Sequence, residues 1–478
     1  MSQSNALNMQ TLLQAYAKCS DVRHVTLPLG DQKHITLLYC KSLCDEMMIN
    51  RNLLPEIKRM YSHDEMNSVD NLEKYSAIEL TALDCFTIDL CDELLFKGDI
   101  IVEITHLSAY FAYAAPQIPV RQTEETNIEV SIRGPKDGLV ESIDTNLGLI
   151  RRRLPVNTVA VETMRIGTKT RTRVGLIYDV NKMNSDLLDD LRKKLGELSD
   201  QIEELNSATQ LEERISDHPY SLFPLSIYTG RPDFVTSCVL RGRFAVLIDG
   251  VPAAMIGPAT LTMLLKTPED THFNFISSSF GQLLRLFSLI VSIFLPSFYI
   301  ALTGYHQDQI PFPLLATVVT TRFGVPISTP MEMFLVLTLL ETFKEAGYRL
   351  PSMIGQTLTV VGGLIIGDAA IRAGLTSPSM VVIAAISIVS GSTLVSQTLS
   401  GSVSVIRYGA VILAAILGMY GFMLSVLLVL VYLSGLTSFG VSYLAPAAPF
   451  SLKDIGRSLL MYPRKMKTFV PKSLNKKS

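Results

Sequence analysis

The chain has 478 residues, with 42 Lys and Arg against 44 Asp and Glu and a formal net charge of −2. This balance excludes a protein that recruits nucleic acid or an acidic partner through bulk charge. The distribution of charge says more than its total. Between Leu286 and Leu452 the only charged residues are Asp308, Arg322, Glu332, Glu341, Lys344, Glu345, Arg349, Asp368, Arg372 and Arg407, and from Ala373 to Leu452 Arg407 stands alone. A charge at a bilayer centre costs roughly 2.5–3.5 kcal/mol on insertion scales, so segments that face lipid exclude it. The C-terminal half is therefore expected to lie in a membrane.

The first residues, MSQSNALNMQ, are polar and lack the basic-then-apolar layout of a secretory leader, so the N-terminal region is expected on the cytoplasmic side. Cys19, Cys40, Cys44, Cys85, Cys91 and Cys238 all fall in that region at irregular spacing. They read as buried thiols, not as a disulfide framework. VRHVTLPLG and HITLLYC read as paired strands about a polar turn at Gly30–Asp31, followed by helical stretches from about Cys44 and around Leu83–Leu95. LLFKGDIIVEI and AYFAYA form a second strand pair. After the linker AAPQIPVRQTEETN, the same order returns. VAVETMRIG pairs with RVGLIYDV, helices follow at Ser185–Leu198 and Arg231–Leu240, and RGRFAVLIDG then pairs with VPAAMIG. HITLLYCKSL resembles RVGLIYDVNKM, and LLFKGDIIV resembles VLRGRFAVL, which points to two related α+β subdomains.

Between the halves a helix is expected from about Leu139, with Ile143, Leu147, Ile150 and Leu154 as its apolar stripe. Arg151–Arg153 in its last turn read either as a solvated helix end or as a contact to an anionic partner such as lipid headgroups. The C-terminal half holds at least four strongly apolar segments: Leu286–Leu302, where Pro296 offers a kink, Leu350–Gly367, and Ser379–Ile406 and Ala410–Leu433, the last two long enough to cross a bilayer with tilt. Residues 310–347 are apolar but interrupted by charge and proline, which suits an interfacial or re-entrant element. The tail from Lys453 is basic and, by the positive-inside rule, cytoplasmic. The expected divisions are 1–120 and 121–280 for the two cytoplasmic subdomains, 281–440 for the α-helical transmembrane bundle and 441–478 for the tail.

Three groups in the membrane half invite a functional reading. Asp368 and Arg372, four apart, share a helix face and form a candidate intramembrane polar pair, or else Arg372 snorkels to the interface. Gly362, Gly363 and Gly367 offer a small-residue face for helix packing or for a subunit contact. Ser392, Ser396, Ser400 and Ser404 recur every fourth residue, with Gln397 alongside, and read as packing hydroxyls or as the lining of a pore or cavity. The common nucleotide, zinc-protease and serine-hydrolase motifs are missing, and Cys40, Cys44 and His34 are the nearest approach to a metal cluster. No enzyme, cofactor or metal is expected.

SIRGPKDGLVESIDTNLGLIRRRL, VETMRIGTKTRTRVGLIYDVN and YTGRPDFVTSCVLRGRFAVLIDGVPAAMIGPATL resemble the A-subunit family of bacterial spore germinant receptors, the GerA type. So do ETFKEAGYRLPSMIGQTLTVVGGLIIGDAAI and TSFGVSYLAPAAPFSLKD. The resemblance implies a multi-pass protein of the spore inner membrane that works with a nutrient-binding, permease-like B-subunit and a lipoprotein C-subunit. It further implies a homo-oligomeric ring, a pentamer in the family, that gates monovalent cations at the start of germination. SGSTLVSQTLSGS departs from the family around Val395 and Gln397, where a proline and an aromatic residue are usual. The stage V sporulation AF protein, an accessory membrane component, shares most of the same blocks, so a scaffold without its own pore is the alternative.

Overall fold

The computed structural model describes residues 8–63 except 31–32, residues 65–117 except 67, 70–71, 73–75 and 84–85, then 133–349, 367–446 and Gly456. The chain forms two compact units. Of the described residues, one takes those up to Pro219 together with Ser226–Pro258; the other takes Tyr220–Leu225 and those from Ala259 onward. The helical unit thus begins some twenty residues before the expected boundary at 280, and it includes a short loop from inside the α+β sequence.

The N-terminal unit is α+β and contains two five-stranded antiparallel sheets. In the first, β1 (Val22–Gly30), β2 (Lys33–Cys40), β3 (Leu80–Ala82), β4 (Asp99–Ile104) and β5 (Ala109–Ala114) lie in the order β1-β2-β4-β5-β3. In the second, β6 (Val159–Ile166), β7 (Thr172–Asp179), β8 (Ile227–Thr229), β9 (Phe244–Ile248) and β10 (Ala254–Gly257) lie in the order β6-β7-β9-β10-β8. Matched by position in sequence, the two orders are identical, and the strands whose sequences resemble each other, β2 with β7 and β4 with β9, hold equivalent places.

Strand alternation explains why both faces of the first sheet are covered. Ile35, Leu37 and Tyr39 of β2 join a core with Leu53, Ile57 and Met60, on and just before helix α2 (Leu54–Ser62). Leu38 and Cys40 join a second core with Leu12 of helix α1 (Met9–Ala15) and Cys91 and Leu95 of α3 (Ile88–Lys97). In the second half Ser142 caps α4 (Ile143–Arg153) and Asn184 caps α5 (Ser185–Gln201); α6 (Ala208–Ile215) and α7 (Pro232–Val239) follow. The α4 start at Ile143, not Leu139, follows from that Ser142 cap.

The C-terminal unit is helical: α8 (Phe275–Tyr305), α9 (Phe312–Arg322), α10 (Thr329–Arg349), α11 (Pro378–Ser392) and α12 (Gln397–Gly435). Of the described helices, α8 and α12 are long and apolar enough to cross a membrane. Residues 310–347, expected as one interrupted element, are largely the separate helices α9 and α10. The expected span Ser379–Ile406 is not continuous, because α11 ends at Ser392 and Ser396 caps α12 through Leu399 N at 3.3 Å. Of the expected span Leu350–Gly367, only Gly367 lies within the described residues.

A second break occurs inside α12. Gly418 has φ 59° and ψ −132°, the combination found at the first central position of a tight reversing turn. Contacts with α8 follow the reversal. Arg407 meets Ser292, Val411 clusters with Ile300, and Tyr305 reaches the Ala415 carbonyl; beyond Gly418, Phe422 packs back against Phe298 and Phe294. Residues 397–417 and 419–435 are therefore two antiparallel arms, each close to the roughly 20 residues of one bilayer crossing. Gly421 permits the tight approach, since a Cβ there would meet the Leu413 carbonyl oxygen at 2.0 Å.

Candidate functional site

Proline has no N–H, so Pro296 inside α8 leaves the Ser292 carbonyl without its helical donor. Arg407 of α12 takes that place. Its Nε donates to Ser292 O at 2.7 Å and its Nη2 to Ser292 Oγ at 2.7 Å, while Ser387 Oγ of α11 donates to the same carbonyl at 2.8 Å. Gly391 makes the room, because a Cβ there would lie 2.8 Å from Ser292 Oγ and 3.1 Å from Arg407 Nη2. Arg407 is 1% exposed, and its Nη1 stands 3.4 Å from Glu341 Oε2 of α10. Glu341 Oε1 accepts from Lys344 Nζ and from Ser404 Oγ, both at 2.9 Å, and Lys344 also reaches Ser400 Oγ at 3.3 Å. One carboxylate thus serves two cations, and the cluster ties α8, α10, α11 and α12 together while carrying a surplus positive charge.

A second cluster centres on Glu332, which is fully buried. Its Oε1 accepts from Ser377 N and Ser377 Oγ, each at 2.6 Å, and from Thr376 Oγ1 at 3.2 Å. Ser377 is the N-cap of α11, so the carboxylate sits at the positive end of that helix. Arg322 Nε lies 3.3 Å from Glu332 Oε2, and the guanidinium also donates to Thr329 Oγ1 and to the Ile327 carbonyl. A cleft of about 730 Å³ opens beside it, lined by Arg322, Thr329, Tyr305, Phe334, Val411 and Ile412. Both clusters follow one physical rule: charge inside an apolar helical unit persists when it is paired and hydrogen-bonded.

The N-terminal unit has its own buried pair. Arg151 donates to both Asp21 oxygens, at 2.6 and 2.9 Å, and to the Val159 carbonyl at 2.8 Å; its guanidinium stacks over Phe96 at 4.7 Å. Tyr16 donates to Asp92 at 2.5 Å, and the Asn157 amide donates to the other Asp92 oxygen at 3.1 Å. Burial pushes the Asp92 carboxyl above its ordinary range, although these hydrogen bonds oppose it. These contacts join the first sheet and its helices to the second. Arg151 is therefore neither solvated nor available to an anionic partner, while Arg153 pairs with Asp137 at 2.5 Å.

The chain matches the family of Bacillus/Clostridium GerA spore germination proteins over residues 10–473. It belongs to that family. Spore germination protein XA of Bacillus anthracis is 38% identical over 416 residues, covering 87% of this chain and 84% of that protein. Spore germination protein KA of Bacillus subtilis is 30% identical over 466 residues, covering 97% and 85% respectively. The crystal structure of the N-terminal domain of the A subunit of the Bacillus megaterium spore germinant receptor GerK3 matches with a TM-score of 0.39 and 22% identity, covering 54% of this chain and 98% of that domain. The family is one of germinant receptor subunits.

Within this GerA chain the residues singled out from sequence fall into different surroundings. The serine stripe is divided by the break at Thr393. Ser392 ends α11, Ser396 caps α12, and Gln397 is exposed. Ser400 and Ser404 are buried and bonded into the Glu341 cluster. The four hydroxyls therefore do not share one helix face. Asp368 and Arg372 do pair, at 2.8 Å, but both side chains are largely exposed. Gly362 and Gly363 lie outside the described residues, and a Cβ on Gly367 would meet nothing within 4 Å. Among the described residues no group of three or more His, Cys, Asp or Glu is gathered to hold a metal; Cys40 instead contacts Asp21 at 3.8 Å. Sequence reasoning overlooked the Arg407–Glu341 and Arg322–Glu332 pairs. The signal was present: a lone arginine in a charge-free stretch needs an acid, and α10 carries both.

Proposed function

We propose that this chain is the A-subunit of a nutrient-sensing germinant receptor, a multi-pass protein of the spore inner membrane with its α+β unit and basic tail in the cytoplasm. It assembles with a permease-like B-subunit that binds the nutrient, with a lipoprotein C-subunit, and with further copies of itself in a ring, a pentamer by family resemblance. The ring is a ligand-gated channel whose opening releases monovalent cations and starts germination. It is not an enzyme, and it needs no cofactor and no nucleic acid.

The observation that carries this reading is the cluster of buried Arg407 with half-buried Glu341 and Lys344, set among helices whose outer faces are apolar, with Phe280, Phe287, Ile416 and Tyr420 all more than 60% exposed. Apolar surface on that scale favours lipid or neighbouring helices over water. A fixed internal cluster with surplus charge supports a role in passing ions or in responding to them, as ionisable groups inside membrane helices commonly do. Ser400 and Ser404 belong to this cluster and remain the proposed polar lining; Ser392, Ser396 and Gln397 remain proposed contributors at the helix break. The exposed Asp368–Arg372 pair is proposed as part of a vestibule, and Gly362, Gly363 and Gly367 as a subunit contact.

The test is cation release from spores. Spores lacking this chain should fail to release monovalent cations on exposure to the nutrient, and the intact gene should restore release. Normal release without the chain would overturn the reading in favour of an accessory scaffold.

A further inference from the structure

We infer that Glu341, Ser400 and Ser404 form a binding site for a monovalent cation, and that the Lys344 ammonium is its resident, tethered occupant. Glu341 and Lys344 lie on α10, and both serines lie on the first arm of α12, all inside the helical unit.

The two cations of the cluster are held in different ways. Arg407 is locked in place. It is 1% exposed, and its Nε and Nη2 are spent on the Ser292 carbonyl and hydroxyl of α8, each at 2.7 Å. Ser387 and Gly391 of α11 close around the same point. The guanidinium meets Glu341 through Oε2, at 3.4 Å. Lys344 has no comparable anchor. At the end of a flexible four-carbon stem, its ammonium donates to the other oxygen, Glu341 Oε1, at 2.9 Å and to Ser400 Oγ at 3.3 Å.

Ser404 Oγ donates to that same Oε1 at 2.9 Å and to the Ser400 carbonyl at 3.2 Å, which fixes the carboxylate against α12. The ammonium therefore sits against a carboxylate oxygen and a hydroxyl oxygen, with a second hydroxyl held alongside. Oxygen donors that replace part of a hydration shell are what a monovalent cation takes from a protein.

Charge and access favour exchange at this position. Replacing the ammonium by a free monovalent cation leaves the cluster's charge unchanged: one carboxylate, Arg407 and one further positive charge. A divalent ion would add a charge, and an anion would face the carboxylate. The Glu341 and Lys344 side chains are 25% and 14% exposed, so the site is open on one side while Arg407 behind it is sealed. The tether keeps the ammonium at high local concentration, so the site becomes free when Lys344 is drawn away. That the freed site lies on a conducting path closed by Lys344 rests on the receptor reading above; the site itself does not.

The test is thermal unfolding of the full chain in detergent, in potassium chloride and in N-methylglucamine chloride at equal ionic strength. N-methylglucamine is too large for the site. Lys344→Met removes the ammonium and keeps an apolar stem. Its midpoint should be about 2 °C higher in potassium, while wild type shows no difference. Lys344→Gln keeps a donor toward Glu341, so it holds the helices even where the Met variant does not, and it should show the same dependence. Ser400→Ala added to either variant should abolish it. No potassium dependence in the variants, or an equal one in wild type, would overturn the site. In liposomes with the partner subunits, Lys344→Met should lose the need for nutrient and pass potassium at once. A variant as tight as wild type before nutrient would overturn Lys344 as the plug. A potassium-dependent midpoint in a chain whose wild-type complex never passes cations would instead overturn the receptor reading and leave the site standing.

Discussion

Arg407 donates to the Ser292 carbonyl at 2.7 Å, the same carbonyl that Pro296 deprives of its helical partner. A proline and an arginine more than a hundred residues apart therefore answer each other. The guanidinium gains an acceptor deep in an apolar unit, and the kinked helix gains a donor.

Unequal damage is expected from removing the two members of that ion pair. Glu341→Gln strands both Arg407 and Lys344, whereas Arg407→Met leaves Glu341 still bonded to Lys344. Breaking a buried pair costs about 3–5 kcal/mol, so E341Q should lower the thermal midpoint in detergent more than R407M. The double variant should recover part of the loss. Midpoints equal to wild type for both single variants would show that the cluster contributes nothing to holding the helices.

In the α+β unit Asp21→Asn or Arg151→Met should each destabilise by about 3–5 kcal/mol, because each leaves a buried charge without its partner. Denaturant unfolding of the purified full chain, followed by circular dichroism, measures this. Arg152→Ala, an exposed change one residue along, should shift the midpoint very little.

Helix reversal at Gly418 depends on two glycines. Alanine at 418 meets a positive φ and the Tyr305 ring at 2.8 Å; alanine at 421 meets the Leu413 carbonyl. Both variants should reduce the yield of folded protein sharply, while Gly409→Ala, where a Cβ has open space, should be tolerated. Normal yield of G421A would mean that the two arms do not lie as described.

The thiols offer a test of burial. Cys40, Cys44 and Cys91 are buried, and desolvation, aided by neighbouring acids, pushes each up to about 12. A thiol raised so far is almost wholly protonated at pH 8 and reacts slowly. Maleimide should therefore modify these three only after denaturation. Rapid labelling of any of them in the native chain would contradict their placement.

The charge pattern and strand alternation made the main division and the strand pairs readable from sequence. HITLLYC and RVGLIYDV were legible because they are dense in β-branched and aromatic residues and because their likeness marks equivalent places in two sheets. The helix breaks were not legible. Nothing in SGSTLVSQTLSGS forbids a helix, and the stop at Thr393 follows from Ser396 capping the next one. The partners of Arg407 were hidden for a different reason. Ser292 became an acceptor only through Pro296, and Glu341 lies on a helix whose face toward Arg407 is set by packing that a single sequence does not encode locally.

A nutrient-gated cation path is the role proposed for this GerA-family chain. The most direct measurement is cation flux from liposomes holding the chain with its B- and C-subunits, before and after nutrient addition. The account predicts flux that begins with nutrient and is abolished by Glu341→Gln at equal protein content. A complex that binds nutrient yet passes no cations would contradict it.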